Sequence, residues 1–404
     1  MNHNSTPLAS SPETPAPQIP ASLVPVAKRT AIVDILRGWA IIGVVIGNYE
    51  YFTEAGNKVE HADDTISLVL QYFIGYVLAS KSWTMLSVLF GYGFAVVMDN
   101  VAAKGKNAVL FFCRRMWWLL VLAFINSAFW FGDILKDYAI LGFVLLLFYK
   151  RPAKFALIVA AVLMLLVPFV AAYIFSLKLY NGDVANTHFM PLYYSSNWID
   201  IFVMNLKGTF YRQILNPGYA INVHMVMLAC MLLGFAAQQI DFFNRLLEFK
   251  KQLKLVFYIT FTFSVLSNVS VFLINKADPD FFAWFKPYFW ISSSTMICIL
   301  TGICLIYLNG KLQRFFASLQ VMGKMTLTNY MMQSILAPFL FLNVGLGIFN
   351  TKPYWFYILI ALLVFVIQIG FSKWWLKRYQ FGPVEWIWRQ LSYGKRFPIR
   401  RTAG

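Results

Sequence analysis

AIVDILRGWAIIGVVIGNYEYF, residues 31–52, is an apolar run broken only by Asp34, Arg37, Asn48 and Glu50. As a helix rising 1.5 Å per residue it reaches roughly 33 Å, enough to cross a hydrocarbon core about 30 Å thick. The rest of the chain has the same character. Of its 404 residues 59% are hydrophobic, 18% aromatic and only 13% charged, and the mean hydropathy is +0.63. A globular chain is about 25% charged, so this composition describes an integral membrane protein. The net charge of +17 then reflects topology and not a nucleic-acid partner.

Working outward from the first span, nine further apolar stretches follow, at about 82–98, 116–131, 134–149, 155–176, 218–237, 255–274, 288–308, 325–343 and 354–375. Helices are required, because backbone groups in lipid find no water to satisfy them. The expected fold is all-α, with about ten transmembrane helices. Residues 65–80, apolar but short and preceded by acids, read as an additional interfacial or re-entrant helix, and 198–211 read similarly. Residues 1–30 hold six prolines among serines, threonines and alanines, a composition that cannot offset the entropy of ordering. They are expected to be a disordered cytoplasmic tail without a cleavable signal, ahead of a bundle over 31–378 and a basic cytoplasmic tail over 379–404. Most of the 34 lysines and arginines fall on one side of this arrangement, in 104–115, 150–154, 245–254, 311–324 and 373–401, and most of the 17 acids fall on the other. The positive-inside rule puts both termini in the cytoplasm. The basic tail also suits contact with anionic lipid. Cys113, Cys230, Cys298 and Cys304 lie in or beside apolar runs with no metal-ligand spacing, and read as reduced packing residues.

Ionisable groups inside a span cost about 2.5–3.5 kcal/mol each at its centre and so mark function. In the first span Asp34 and Arg37 are one turn apart, and Asn48, eleven residues after Arg37, returns to the same helical face some 16 Å further on. The same spacing also suits an ion pair that only fixes helix depth. Gly43 and Gly47 make a small-xxx-small pattern for close helix approach. A second anomaly is the pair of spans 116–131 and 134–149, separated only by Gly132 and Asp133. Each reaches roughly 24 Å, so with Arg114, Arg115, Lys150 and Arg151 at the inner ends, the hairpin tip stays below the far interface. Asp133 would then be a carboxylate in low dielectric, suited to general acid or base work. A third polar set, Asn329 and Gln333 with Thr326 and Thr328 nearby, reads either as inter-helix hydrogen bonds or as the wall of a polar conduit. His61 and His188 fall in outer segments and His224 in the sixth span.

The stretches DILRGWAIIGVVIGN, SVLFGYGFAVV, RRMWWLLVLAFINSAFWFGDILKDYAILG, GKMTLTNYMMQS and GPVEWIWRQLSYG together resemble the YeiB-like family of bacterial inner-membrane proteins, in consistent order after the tail. More distantly, Arg37, Gly38 and Asn48 are similar to elements of two groups of membrane acyltransferases, the heparan-alpha-glucosaminide N-acetyltransferases and the enzymes that decorate surface polysaccharides. The resemblance implies a transmembrane acyltransferase-like bundle in the bacterial inner membrane, with acyl-CoA entering from the cytoplasm and an acceptor on the far side. The chain departs from those groups at Asn48 and Asn126, where relatives often carry histidine. His61 is the nearest counterpart of the glycosaminoglycan enzymes' catalytic histidine.

The leading expectation is transfer of an acetyl or similar short acyl group from cytoplasmic acyl-CoA to an extracytoplasmic hydroxyl or amine. Asp133 is the expected base with His61 as substitute, and Asn48 and Tyr49 are oxyanion donors or acceptor-positioning groups. Arg37 would guide pantetheine or a phosphate, with Arg114, Arg115 and Lys324 at the inner mouth and Asn329 and Gln333 on the conduit wall. No metal is implied. The partners are the lipid bilayer and a small-molecule or glycan acceptor, with oligomers allowed. The competing expectations are a transporter or flippase of a small amphipathic or acidic metabolite, using Asp34, Arg37 and Asp133, and a scaffold without catalysis. A polar slot open on both faces, from Arg37 to Asn48, suits acyl transfer. A one-sided pocket suits alternating access.

Overall fold

The computed structural model describes residues 30–54, 64–179, 190–278 and 280–401. His61, His188 and nearly all of the expected N-terminal tail lie outside them. The described residues form fourteen α-helices: α1 (Ala31–Glu54), α2 (Thr65–Val77), α3 (Lys81–Ala102), α4 (Ala108–Ser127), α5 (Leu135–Leu145), α6 (Ala153–Ser176), α7 (Trp198–Thr209), α8 (His224–Gln239), α9 (Lys250–Ala277), α10 (Tyr288–Leu308), α11 (Gln313–Lys324), α12 (Thr326–Phe341), α13 (Tyr354–Arg378) and α14 (Pro383–Tyr393). Among them the one β contact is an isolated bridge between Tyr379 and Arg400. The chain is a multi-pass helical membrane protein, with eight helical stretches long and apolar enough to cross a bilayer.

Two expected spans come out shorter. α5 has 11 residues and α12 has 16, reaching about 16 Å and 24 Å. The α5 segment, continued by a 3-10 turn over Leu146–Phe148, is too short to count as a full crossing, and Asp133 just before its start is buried within the bundle. α2 and α3 are consecutive helices bent at Ser80, whose φ is 60°. Asp64 caps α2, its carboxylate accepting from the Ser67 amide at 2.7 Å.

α1 sits at the centre, packed against α3, α10, α11, α12 and α13. Its crossing with α11 is closest where Gly38 faces the Leu319 backbone and Gly323 faces the Asp34 backbone, so that a Cβ at either glycine would overlap a carbonyl oxygen. That crossing brings Arg37 and Lys324 to the same cavity. Gly43 takes the close approach expected of it, against Ser82 of α3, whereas nothing lies near Gly47.

One end of the bundle gathers the lysine- and arginine-rich connections. There Gln238 bonds Asp99, Gln239 bonds the Arg151 carbonyl and Lys373 bonds Ser318. We call it the basic end. At the opposite end Tyr354 bonds Glu50, Asn343 bonds the Tyr194 carbonyl and Tyr193 stacks on Phe349. α7 lies across the α4–α5 tip at this end: Asn205 accepts from the Phe131 amide, and Thr209 donates to the Phe131 carbonyl. Two short π-helical segments, Phe210–Ile214 and Gly218–Val223, then lead into α8. Such wide turns are found frequently at functional sites.

The stretch 379–404 was expected to be a tail, and most of it is folded. Pro383 opens α14, Gly394 closes it at φ 64°, and the helix docks on α4 and α12.

Candidate functional site

A cavity of about 360 Å³ enters the bundle at the basic end. Its mouth is formed by Arg37 from α1, Arg115 from α4, Lys324 from α11, and Glu385, Trp388 and Arg389 from α14. Its body is apolar, walled by Leu86, Leu89, Phe90, Phe94, Met116 and Leu119. Tyr138, Tyr330, Ile134 and Leu135 close its inner end. Gly93 leaves room for Arg37, since a Cβ there would come within 3.3 Å of Nη2. Arg37 also pairs with Asp34 at 3.5 Å, as its helical spacing predicts.

Asp133 lies immediately behind the Tyr330 wall and is fully buried. Its Oδ1 accepts from the Tyr330 hydroxyl at 3.1 Å and from Asn126 Nδ2 at 2.8 Å, and its Oδ2 accepts from the Lys136 amide at 3.2 Å. The Tyr330 oxygen in turn accepts from the Ile134 amide at 3.1 Å. The short return helix places Lys136 and Asp137 next to this carboxylate. Lys136 Nζ donates to the Asp133 carbonyl at 2.7 Å and to Asp137 Oδ2 at 3.0 Å. Asp137 also accepts from the Tyr219 hydroxyl at 3.0 Å and faces His224 Nε2 at 2.9 Å. Two buried carboxylates are thus grouped with one ammonium, two tyrosines and an imidazole. A buried charge needs such partners, because removing it from water costs several kcal/mol. The cluster ties the α4–α5 tip to the π-helical segment and to the first turn of α8.

Between this cluster and the opposite end stands a layer of rings. Tyr51 packs edge-on to Trp130 and Phe131, Phe52 stacks on Phe341 at 4.5 Å, and Phe52 and Tyr193 both contact Phe349. Arg212 donates to the Tyr51 hydroxyl at 2.8 Å and lies 5.1 Å from the Phe131 ring. Among the described residues, the cavity lining does not reach Asn48, so the continuous passage expected from Arg37 to Asn48 is not formed by them. Of α1, Arg37 and Ile41 line the cavity, and further along the helix Tyr49 and Phe52 are buried aromatic side chains.

The remaining expected site residues divide accordingly. Arg37, Arg115 and Lys324 come together at the mouth. Arg114 turns away from it, exposed, with its guanidinium against the Gly394 turn that ends α14. Asn48 is half-buried outside the lining, its Nδ2 without a partner among the described residues. Tyr49 is sealed in the core and donates to the Gln333 carbonyl at 3.1 Å, so its hydroxyl is engaged away from the cavity. Asn329 and Gln333 bolt α12 to α13: Asn329 bonds Ser372 at 3.1 Å, Gln333 bonds Gln368 at 2.8 Å, and Gln368 returns to the Asn329 carbonyl at 2.9 Å. They make inter-helix hydrogen bonds and do not line the cavity. Lys136, Asp137, Tyr219, Tyr330 and Arg389 were not singled out in the sequence. Lys136 and Asp137 carried a signal all the same, being adjacent charges inside an apolar run.

Glu385, on α14 outside the spans, accepts from the Leu327 amide at 2.7 Å, the Thr328 amide at 3.1 Å and the Thr328 hydroxyl. It caps the first turn of α12, a favourable place for a carboxylate. Burial holds its carboxyl above the usual range, and the bonds from Thr328 and the backbone oppose that rise.

Residues 237–395 match the family described as "Protein of unknown function (DUF418)". The chain is 29% identical to the uncharacterized protein YxaH of Bacillus subtilis (strain 168), covering 93% of this chain and 96% of that one. It is 26% identical to an uncharacterized 39.9 kDa protein in the amylase 3' region of Bacillus acidopullulyticus, covering 92% and 96%. Over 89 residues, 20% of this chain and 21% of the relative, it is 37% identical to the uncharacterized protein YeiB of Escherichia coli (strain K12). No solved structure matches. Over its C-terminal part the chain is therefore similar to the DUF418 family, and over nearly its whole length it is similar to YxaH.

Proposed function

We propose that this protein is a membrane-embedded acyltransferase that takes its acyl group from acyl-CoA held in the cavity at the basic end. That end faces the cytoplasm of a bacterial inner membrane by the positive-inside rule, with both termini on the same side. The observation that carries the reading is the cavity's layout: a cationic mouth suited to phosphates, an apolar shaft, and a wall at Tyr330 with Asp133 hydrogen-bonded behind it. Arginine forks match phosphate oxygens, and the shaft suits a pantetheine arm that leaves its nucleotide at the mouth. From the level of Arg115 to the end of α4 at Ser127 the helix rises about 18 Å, so an extended arm brings the thioester toward the hairpin tip.

In the transfer, Asp133 accepts the proton of the acceptor hydroxyl or amine as that atom attacks the thioester carbonyl carbon. The bond to the acceptor forms, the carbon–sulfur bond breaks, and the proton passes from Asp133 to the departing sulfur, leaving acylated acceptor and free CoA thiol. Tyr330 donates to Asp133 in the resting state. Once Asp133 carries the proton, the tyrosine hydroxyl is free to donate to the oxyanion of the tetrahedral intermediate. A small-molecule or glycan acceptor arriving from the opposite end requires the Tyr51, Trp130 and Phe131 layer to part.

One observation favours a second reading. The cavity lining begins at the basic end and does not extend to Asn48, as in one state of an alternating-access transporter for an amphipathic or acidic metabolite. Purified full-length protein in vesicles distinguishes the two. Acyl-CoA binding, with release or transfer of radiolabelled acyl groups to members of a sugar and amine panel, is expected. Flux of an unmodified solute with no acyl chemistry favours the transporter, and neither binding nor turnover of any acyl-CoA refutes the enzyme.

A further inference from the structure

The GPVEWIWR stretch has no part in the chemistry above, yet it builds one wall of the mouth. Glu385 anchors α14 to the start of α12. On the next turn the Trp388 indole donates to the Arg115 carbonyl at 2.9 Å, and the Arg115 guanidinium lies 3.6 Å over the Trp388 ring. The neighbouring Arg389 is held among the rings of Phe381, Tyr393 and Phe397 at 4.7, 5.4 and 5.3 Å, and its Nε is buried with no hydrogen-bond partner among the described residues. The chain beyond the helix folds back to fix this arrangement. Trp386 Nε1 donates to the Phe397 carbonyl at 2.8 Å, the Gln380 amide to the Ile399 carbonyl at 2.9 Å, and the Arg401 amide to the Arg378 carbonyl at 3.1 Å.

Four cations, Arg37, Arg115, Lys324 and Arg389, line one cavity; Arg37 is paired with Asp34, and the one carboxylate among the lining residues, Glu385, is already engaged by two backbone amides and a hydroxyl, which leaves Arg115, Lys324 and Arg389 facing the same space. Ring faces stabilise a guanidinium without neutralising it. Like charges gathered in a partly desolvated mouth repel one another unless an anion sits between them. The cations come from α1, α4, α11 and α14, so they approach from several directions. That geometry suits the tetrahedral oxygens and multiple charge of a phosphate better than a planar, singly charged carboxylate.

We propose that Arg389, with Arg115 and Lys324, forms a phosphate clamp in which the C-terminal helix is one jaw, and that this clamp selects phosphorylated ligands for the cavity. The proposal deepens the acyl-CoA reading by naming the residues that hold the donor's phosphates, but the clamp itself requires only a phosphate group. Glu385 and Trp388 are positioning residues: they set the jaw and touch no ligand.

The test is calorimetric titration of the full chain in lipid nanodiscs with CoA, dephospho-CoA, phosphate-free pantetheine, inorganic pyrophosphate and citrate. Arg389→Gln is expected to weaken CoA about tenfold or more while leaving pantetheine binding as in the parent. Pyrophosphate is expected to compete with CoA, and citrate is not. Lys324→Gln repeats the measurement at a second clamp position should Arg389→Gln fold poorly. CoA affinity unchanged in both variants overturns the clamp and leaves the acyl-CoA reading standing. Pantetheine weakened as much as CoA overturns it too, since a general loss of packing explains that result. Citrate binding more tightly than pyrophosphate overturns the phosphate assignment. Arg389-dependent pyrophosphate binding by a protein that binds neither CoA nor acyl-CoA supports the clamp and sinks the acyl-CoA reading.

Discussion

Asp133 combines three properties that seldom coincide in a membrane protein: full burial, three hydrogen-bond donors and a position one side chain away from a cavity. Replacing it with asparagine keeps the shape and removes the proton acceptor. Under the proposed chemistry Asp133→Asn is expected to lower acyl transfer by roughly 10²–10⁴-fold with acyl-CoA affinity unchanged, measured by turnover beside equilibrium binding. Equal rates in the variant remove Asp133 from the mechanism. Tyr330→Phe is a milder probe. It deletes one hydrogen bond to a charged group, worth about 1.5–3 kcal/mol, so turnover is expected to fall by about 10–100-fold while Asn126 and the Lys136 amide still hold the carboxylate. Asp133 was legible in the sequence because two short apolar runs separated by a Gly-Asp pair leave the tip no way to reach the far surface. Its partners were not, because Tyr330 and His224 are brought to it only by tertiary packing. Tyr49 and Asn48 read as reactive polar groups for the opposite reason: helical periodicity gives the face a residue occupies, and cannot say which neighbour fills that face. Here Phe341, packed edge-on at 4.9 Å from Tyr49, closes the route.

The α1–α11 crossing is where packing places chemistry, because Gly38 and Gly323 allow the backbone contact at which Arg37 and Lys324 reach the same cavity. Gly323→Val puts a branched side chain against the Asp34 carbonyl. Overpacking of this kind costs about 1–3 kcal/mol, so a lower melting temperature and weakened ligand binding are expected together; a variant that melts like the parent argues against so close a crossing. α14 makes a pH-dependent prediction. The Glu385 carboxyl is held above its ordinary range by burial, so it favours the docked helix most in acid, and that contribution fades as pH rises through its raised titration. A nitroxide label at Lys395→Cys is expected to grow more mobile from acid toward neutral pH, and Glu385→Gln is expected to flatten that response. A label equally mobile across the range would remove Glu385 from the docking. The helix was legible in part. Pro383 and Gly394 are start and stop signals, and Val384, Ile387, Trp388 and Leu391 follow helical periodicity, but the surrounding lysines and arginines gave the segment the look of a solvated tail.

Across the whole molecule, the membrane class and most of the long helices were readable from composition and apolar run length alone, since lipid leaves the backbone few options. The lengths of α5 and α12 were not. Apolar residues continue past the ends of both helices, and where a helix stops inside a packed bundle depends on neighbours that no local window contains. The single polar passage expected through the bundle became two compartments, a cavity at the basic end and a buried ionic cluster behind Tyr330, with aromatic rings beyond. This separation makes a directional prediction. Val97 lines the cavity, whereas Asn343 bonds Tyr194 at the opposite end. Three of the four native cysteines are buried and Cys113 is half-buried, so a Cys113→Ser background leaves an introduced thiol readable. If the basic end faces the cytoplasm, a membrane-impermeant maleimide is expected to label Val97→Cys only in inverted membrane vesicles and Asn343→Cys only in intact cells with a permeabilised outer membrane. Acyl-CoA is expected to protect Val97→Cys and leave Asn343→Cys untouched. Labelling of Val97→Cys from the extracytoplasmic side would mean either that the bundle is inverted or that the ring layer does not seal. Asn343→Cys distinguishes the two, since its labelling switches to inverted vesicles under inversion and stays in intact cells if only the seal has failed.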